Sequence, residues 1–294
     1  GAGAVVLFSL FEEQIRNETA VLEEVKQATT SAFAESSNFF PDLRDYAVGS
    51  TKYLEIIREA KERVDIPIIA SLNGITPEGW TEYARDIEQA GADALEINVY
   101  FIPADINLSS DEVEKRYLDI VSMVRRNVKI PVAVKLSPYF SSFGNIAKRL
   151  QKAGADALVL FNRFYQPDIE IEKLEVIQDL DLSHPAEMRL PLLWIGVLYG
   201  RVPVSIAATT GVHGAREIVK YILAGADVAM VASTILMHGI PRIKEILYDL
   251  ELYMKDMPFA SVDAFKGMMS QQNIADPTAY ERSNYIQILE KKKW

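Results

Sequence analysis

Four polar side chains stand in, or directly after, short apolar runs that are typical of buried strands. They are Lys135 in PVAVKLSP, Asn73 after IIASL, Asn98 after ALEI and Asn162 after ALVLF. An unpaired polar group in such a run costs a few kcal/mol when it is buried, so these residue types point to use rather than packing. An amine beside several carboxamides suits a flat ligand rich in amide groups, because each carboxamide both donates and accepts hydrogen bonds. Capping of a loop explains a single Asn equally well, and the hypothesis rests on the four together.

A second candidate site lies in AATTGVHGAREIVKYILAGADVAMVASTIL, residues 207–236. Two consecutive strands end here, the first at Thr210 and Gly211 and the second at Ser233 and Thr234. Backbone N–H groups and hydroxyls next to a helix N-terminus form a cradle for phosphate. Ordinary turns of α/β proteins have the same pattern, so this stretch alone leaves both interpretations open.

A repeated phrase predicts the elements that position these residues. The sequence Ala-Gly-Ala-Asp occurs at 90–93, 153–156 and 224–227, with a weaker copy at 2–4, and an apolar strand follows each copy. A branched residue and Pro precede three further strands, at 66–67, 130–131 and 202–203. Strands that alternate with amphipathic helices indicate βαβ crossovers and a parallel sheet. For a chain of this length the pattern predicts an α/β fold, a TIM (β/α)8 barrel. No GxGxxG motif opens any of the predicted helices, which argues against a dinucleotide-binding Rossmann unit.

The pattern gives seven strands, near 4–9, 67–72, 93–98, 131–136, 156–161, 203–208 and 227–232, where a closed barrel has eight. We therefore expect one βα unit, of roughly 30 residues, to be missing before Gly1. Either a preceding segment or a partner chain would then cover the open edges. We expect a single barrel domain over 1–294, with excursions at about 10–63 and 163–201. The first excursion is a candidate lid or an outer decoration, and its predicted parts are a helix at 12–26, an irregular stretch at 33–48 and a helix at 53–60. DIEIEK at 168–173 favours a solvent-facing hairpin in the second.

Composition narrows the functional classes. The 294 residues are 49% hydrophobic and carry a net charge of −10, which argues against nucleic acid or an anionic membrane as a partner. The sequence has no Cys and three scattered His, so we expect no metal site and no disulfide. No apolar run approaches about 18 residues, so we expect no membrane span. Absence of disulfides is compatible with a cytoplasmic protein, which is our expectation.

Several stretches of the chain are similar to those of a known family. The chain resembles the dihydroorotate dehydrogenase family from about Ile66 to Met269, and most closely its dihydroorotate dehydrogenase-like branch. The stretches that carry the resemblance are PVAVKLSPYF, the strand-end Asn162, residues 207–239, SVDAFKGMM, FNRFYQPDI and PAEMRLPLLWI. The resemblance implies an FMN-binding TIM barrel of pyrimidine metabolism, an oxidoreductase acting on CH–CH groups by hydride transfer between a small cyclic or conjugated substrate and flavin.

The resemblance also implies roles for the candidate residues. Lys135 would approach the flavin, where a cation stabilises the anion that reduction creates. Asn98 and Asn162 would bind the flavin edge or the substrate, and we expect Asn73 to contact substrate as well. The phosphate would be held by Gly211, Ser233 and Thr234, with Thr210 where the family usually has Gly.

Three positions depart from the family pattern. The family's catalytic base, a Cys or Ser, is replaced by Phe101, which cannot accept a proton. Tyr100 and Ser109 are nearby alternatives for the base. A substrate-binding Asn is replaced by Pro103, and the Lys expected at the end of the first strand is Phe8. Two other functions therefore stay open: a catalytically impaired barrel that acts by binding or assembly, and a phosphate-binding lyase that uses Lys135 as a Schiff-base amine. For partners we expect a small-molecule substrate, and a homo-oligomer is compatible with the sequence.

Overall fold

The structure is a computed structural model that describes residues 1–12, 50–74, 78–163, 167–177 and 180–291. Apart from Glu12, the predicted helix at 12–26 lies outside the described residues, and so does the predicted irregular stretch at 33–48. The third predicted part of the first excursion, the helix at 53–60, is confirmed within the helix Ser50–Arg63.

Strands and helices alternate along most of the described chain. The strands are β1 (Val5–Phe11), β2 (Ile68–Asn73), β3 (Ala94–Asn98), β4 (Val132–Leu136), β5 (Ala157–Leu160), β6 (Asp168–Glu170), β7 (Glu175–Ile177), β8 (Ser205–Ala208) and β9 (Val228–Ala229). The α-helices are α1 (Ser50–Arg63), α2 (Glu78–Gln89), α3 (Ser110–Asn127), α4 (Phe143–Ala153), α5 (Arg189–Leu198), α6 (Ala215–Ala224), α7 (Ser233–His238), α8 (Arg242–Asp256) and α9 (Ser283–Lys291). Short 3₁₀ turns precede α5 and α9 and follow α8.

Seven of the strands form one parallel sheet in the order β1-β2-β3-β4-β5-β8-β9. The sheet curls into a half-barrel, consistent with a partial TIM barrel, and all seven predicted strands are present. The last strand, Val228–Ala229, is shorter than the predicted 227–232, and helix α7 begins at Ser233, directly after the predicted end. Within the second excursion, β6 and β7 pair antiparallel, which confirms the predicted hairpin.

The main hydrophobic core lies between the outer face of the sheet and the helices. Successive side chains of a strand point to opposite faces, so one residue in two belongs to this core. Leu72, Ile97 and Val134 are neighbours in adjacent strands and are almost completely buried. Burial of this apolar layer stabilises the fold by roughly 25 cal/mol per Å² of buried apolar area. Because a shift of one residue would turn the apolar side chains to the other face, the layer also fixes the register of the strands and therefore the positions of the residues on the inner face.

The repeated Ala-Gly-Ala-Asp phrase has a structural role at the amino ends of the strands. Its Gly residues at 91, 154 and 225 end helices with positive φ, a conformation that residues with a Cβ rarely adopt. Its Asp accepts a hydrogen bond from the first residues of the neighbouring strand: Ile68 N–H donates to Asp93 at 2.7 Å and Ile206 N–H to Asp227 at 2.7 Å. The phrase therefore ends a helix and aligns two strands, on the side of the barrel away from the candidate chemistry.

Candidate active site

One large cavity lies at the carboxyl ends of the parallel strands, where barrel enzymes place their chemistry. Its volume is about 810 Å³, within the range of small-molecule sites. The first predicted group, Lys135 with the three Asn residues, and the turn at Thr210 and Gly211 line the same space. The remaining walls are contributed by Phe8, Ser9, Phe11, Tyr100, Phe161, Arg163, Leu182, Ser183, Thr209, Val212, Met230, Ala232, Ser233 and Leu236.

Strand register places the polar group in one row. Asn73 of β2 is the neighbour of Asn98 of β3, and Asn98 is the neighbour of Lys135 of β4. Ser71 and Glu96 lie two residues earlier on their strands and so form a lower row on the same face. The inner face of this half-barrel is therefore polar in two successive layers.

The two carboxamides predicted to act together are in direct contact. The Nδ2 group of Asn162 donates to Oδ1 of Asn98 at 2.5 Å, and Nδ2 of Asn98 lies 3.5 Å from Oγ of Ser9. Ser9 in turn shares a hydrogen bond of 2.8 Å with Ser71. This series of hydrogen bonds fixes the orientation of both amides at the cavity wall and connects them to the lower row.

Lys135 has a buried counter-ion that sequence reasoning did not select. Its Nζ lies 3.6 Å from Oε1 of Glu96, which also accepts a hydrogen bond of 3.3 Å from Ser71. Burial raises the pKa of the Glu96 carboxyl, and the nearby Lys135 ammonium offsets part of that increase. The sequence contains a signal for this counter-ion, because Glu96 interrupts the apolar strand ALEIN. The prediction of site residues used Asn98 at the end of that strand and did not include Glu96.

The predicted phosphate cradle is assembled from three segments. Gly211 has φ of +74°, and its N–H donates to Oγ of Ser183 at 3.2 Å. Ser183 also shares a hydrogen bond of 2.8 Å with Oγ of Ser233. A Cβ at position 211 would lie 2.8 Å from the carbonyl oxygen of His184, so the turn is closely packed and has room only for Gly. Ser183 belongs to the second excursion, where no local pattern marked it.

The other two residues assigned to the cradle are held differently. Thr234 is fully buried and is not among the residues that line the cavity; its hydroxyl lies 3.5 Å from the carbonyl oxygen of His213. Thr210 lines the cavity with φ of +81°, and its hydroxyl donates to the carbonyl oxygen of Phe161 at 3.4 Å. Gly211 and Ser233 therefore both line the cavity, and both are hydrogen-bonded to the hydroxyl of Ser183.

The sequence of the chain matches a known protein family. The sequence model of the family described as dihydroorotate dehydrogenase matches residues 47–254. The chain belongs to the dihydroorotate dehydrogenase family. It is 27% identical over 277 residues to a protein of Thermoplasma volcanium named dihydroorotate dehydrogenase B (NAD(+)), catalytic subunit, with 91% of this chain and 86% of the relative covered. A protein of the same name from Methanothermobacter thermautotrophicus is 29% identical over 232 residues, with 76% of each chain covered.

Phe101, which the resemblance predicts at the position of the base, has the Arg116 guanidinium 4.0 Å from its ring centroid. Tyr100 lines the cavity. Ser109 is the N-cap of α3, where it forms a reciprocal capping box with Glu112, and it does not line the cavity. Of the two alternatives for the base, the structure brings only Tyr100 to the cavity.

Two further findings concern the described part of this dihydroorotate dehydrogenase family member. Across the described ranges, no three His, Cys, Asp or Glu side chains are grouped so that they could hold a metal ion. None of the helices in those ranges is long and apolar enough to cross a lipid bilayer.

Proposed function

We propose that this chain is an FMN-dependent oxidoreductase that transfers a hydride between a small cyclic or conjugated substrate and the flavin. The observation that carries the proposal is the meeting of three predicted parts in one cavity: the ammonium of Lys135, the Asn98 and Asn162 carboxamides, and the turn at Gly211. The names of the relatives and the family membership support the same class of reaction.

The residues present fit FMN. The Gly211 N–H and the hydroxyls of Ser183 and Ser233 lie together at the cavity wall, where they bond to one another, and a bound phosphate would take over these donors. The apolar part of the wall, with Phe8, Phe161 and Met230 among its residues, suits the faces of a flat ring system. When bound, FMN would supply the hydride acceptor or donor.

The protein's own groups would bind and orient the reactants. Lys135 would place its positive charge where negative charge develops on reduction, which stabilises the transition state electrostatically. Asn98 and Asn162, already oriented by each other, would present a donor and an acceptor to an amide-like substrate edge, with Asn73 beside them in the same row. Preorganised groups of this kind avoid the cost of reorientation during the reaction.

Tyr100 is our candidate for the acid–base group. It is the hydroxyl-bearing alternative to Phe101 that lines the cavity. Because a general base must lie within hydrogen-bond reach of the proton it removes, a residue on the cavity wall is favoured over Ser109, which caps a helix.

A visible absorption spectrum tests the proposal. The purified protein, or the protein after incubation with FMN and removal of the excess, should show flavin bands and lose them when a suitable electron donor is added without oxygen. A colourless protein that stays colourless after incubation would refute FMN binding. Bound FMN that no donor reduces would instead favour a barrel that acts by binding. Trapping of a carbonyl substrate on Lys135 by borohydride would favour the lyase.

A further inference from the structure

The carboxyl group of Glu96 lies in the lower polar row of the inner face, beside Ser71 of β2 and within 3.6 Å of the Lys135 ammonium from the upper row. The residue is 2% exposed, and its Oε1 contacts Nζ of Lys135 and Oγ of Ser71 at 3.6 and 3.3 Å. Its other oxygen, Oε2, is buried and receives no hydrogen bond from any residue in the described ranges. The carboxyl group is thus only half satisfied.

Such an arrangement does not stabilise a fold. Moving a carboxylate out of water costs several kcal/mol, and a single ion pair with one weak hydrogen bond recovers that cost only in part. A Gln or an apolar side chain at this inner-face position would avoid the charge penalty. The retained charge therefore needs a reason other than folding stability.

We propose that Glu96 is a positioning residue, which holds the Lys135 ammonium against the cavity wall and places a negative charge beneath the flavin. The inference deepens the proposed function and rests on it for the part that concerns the flavin. The other cation on the wall, Arg163, already pairs with Glu187 at 3.2 Å and Asp181 at 3.5 Å. Tyr53, the titratable group behind β2, exchanges hydrogen bonds with the Ser71 backbone. Within the described ranges, Glu96 is therefore the counter-ion of Lys135.

The substitution Glu96→Gln keeps the shape of the side chain and removes its charge. In the FMN-free protein, Lys135 loses its ionic partner, so we expect an amine-reactive ester to label it at least about threefold faster, measured by peptide mass spectrometry with Lys61 as the internal reference. Loss of a nearby negative charge also favours reduced FMN over oxidised FMN by about tenfold, a rise of roughly 30 mV in the two-electron midpoint potential. Because the Lys135 side chain is 23% exposed and stays hydrated without its partner, the unfolding midpoint in urea should not fall.

Glu114→Gln is the matched control. Glu114 is a second buried carboxylate, on α3, and it pairs with Arg149 away from the cavity. It should change neither the labelling of Lys135 nor the potential. Glu96→Asp keeps the charge but withdraws it from Lys135, so it should speed labelling while shifting the potential less than Glu96→Gln does.

The outcomes separate the two proposals. If the native protein does not bind FMN, the proposed function fails, and the labelling comparison still decides the role of Glu96. Unchanged labelling in Glu96→Gln would overturn the positioning role. Failure of Glu96→Gln to fold, with Glu96→Asp folded and labelled at the native rate, would also overturn it, because the carboxyl would then serve the fold alone.

Discussion

Replacement of Lys135 by Met tests the buried ion pair through the pH dependence of stability. Met keeps the length and apolar stem of the side chain but removes the ammonium, which lies 3.6 Å from Oε1 of Glu96. At an effective dielectric constant of about 20, the gross attraction at this distance is on the order of 4 to 5 kcal/mol. Protonation of the isolated carboxyl limits the penalty, so we expect a net loss of about 2 kcal/mol in unfolding free energy at neutral to mildly alkaline pH.

The sign of the pH effect follows from the Glu96 carboxyl. Burial already raises its pKa in the folded state, and loss of Lys135 removes the largest opposing contribution, so the pKa rises further. A raised folded-state pKa means that the native protein binds the proton more tightly than the unfolded chain. The contribution of Glu96 to stability is therefore most favourable below its ordinary pKa of about 4.3 and declines as pH rises towards the folded-state value.

Urea unfolding followed by circular dichroism, repeated from pH 4 to pH 9, measures this profile. The deficit of Lys135→Met relative to the native protein should be smallest at pH 4 and grow with rising pH. Lys61→Met is the control, because Lys61 pairs with the partly exposed Asp93 and holds the pKa of that carboxyl below its usual range. Its deficit should be constant above about pH 5. A flat deficit for Lys135→Met over the same range would refute the coupling between Lys135 and Glu96.

Two further predictions concern the turn and the helix cap. Gly211→Ala should lose about 1 to 3 kcal/mol of stability, because the new methyl meets the His184 carbonyl oxygen at a positive φ, whereas Gly144→Ala, in an open helical position, should gain about 0.5 to 1 kcal/mol. Thermal unfolding measures both, and equal melting temperatures would contradict the packing described for the turn. Ser109→Ala should cost about 1 kcal/mol through loss of the N-cap and leave FMN affinity unchanged; a drop in turnover without any loss of stability would show that Ser109 takes part in the reaction.

Local pattern predicted the barrel strands because each has its own signal. The alternation of apolar residues and the repeated Ala-Gly-Ala-Asp phrase locate both ends of a βα unit, and helix-ending Gly residues such as Gly225 adopt the positive φ that their position implies. Parallel register then brings Asn98 and Lys135 side by side without any further information. The end of β9 was misplaced, because the apolar run continues to Ala232 whereas only Val228 and Ala229 pair with β8.

Contacts between distant segments could not be predicted in the same way. Ser183 lies in an excursion with no repeating pattern, and its hydrogen bond to Gly211 depends on how the whole excursion packs. Thr234 is predicted to hold the phosphate, and its burial and the contact of its hydroxyl with the His213 carbonyl oxygen could not be predicted from its place in the sequence. Sequence position gives the strand end at which a side chain occurs, whereas tertiary packing decides which way it turns.

The central claim is that one cavity holds a flavin by its ring at Lys135 and by its phosphate at the turn of Gly211 and Ser233. Paired titrations with FMN and with riboflavin, followed by flavin fluorescence, test both parts at once, since the two ligands differ in the phosphate. The account predicts that FMN binds at least about 100-fold more tightly, which corresponds to about 2.7 kcal/mol from the phosphate contacts. Equal affinities for the two ligands, or no binding of either, would contradict it.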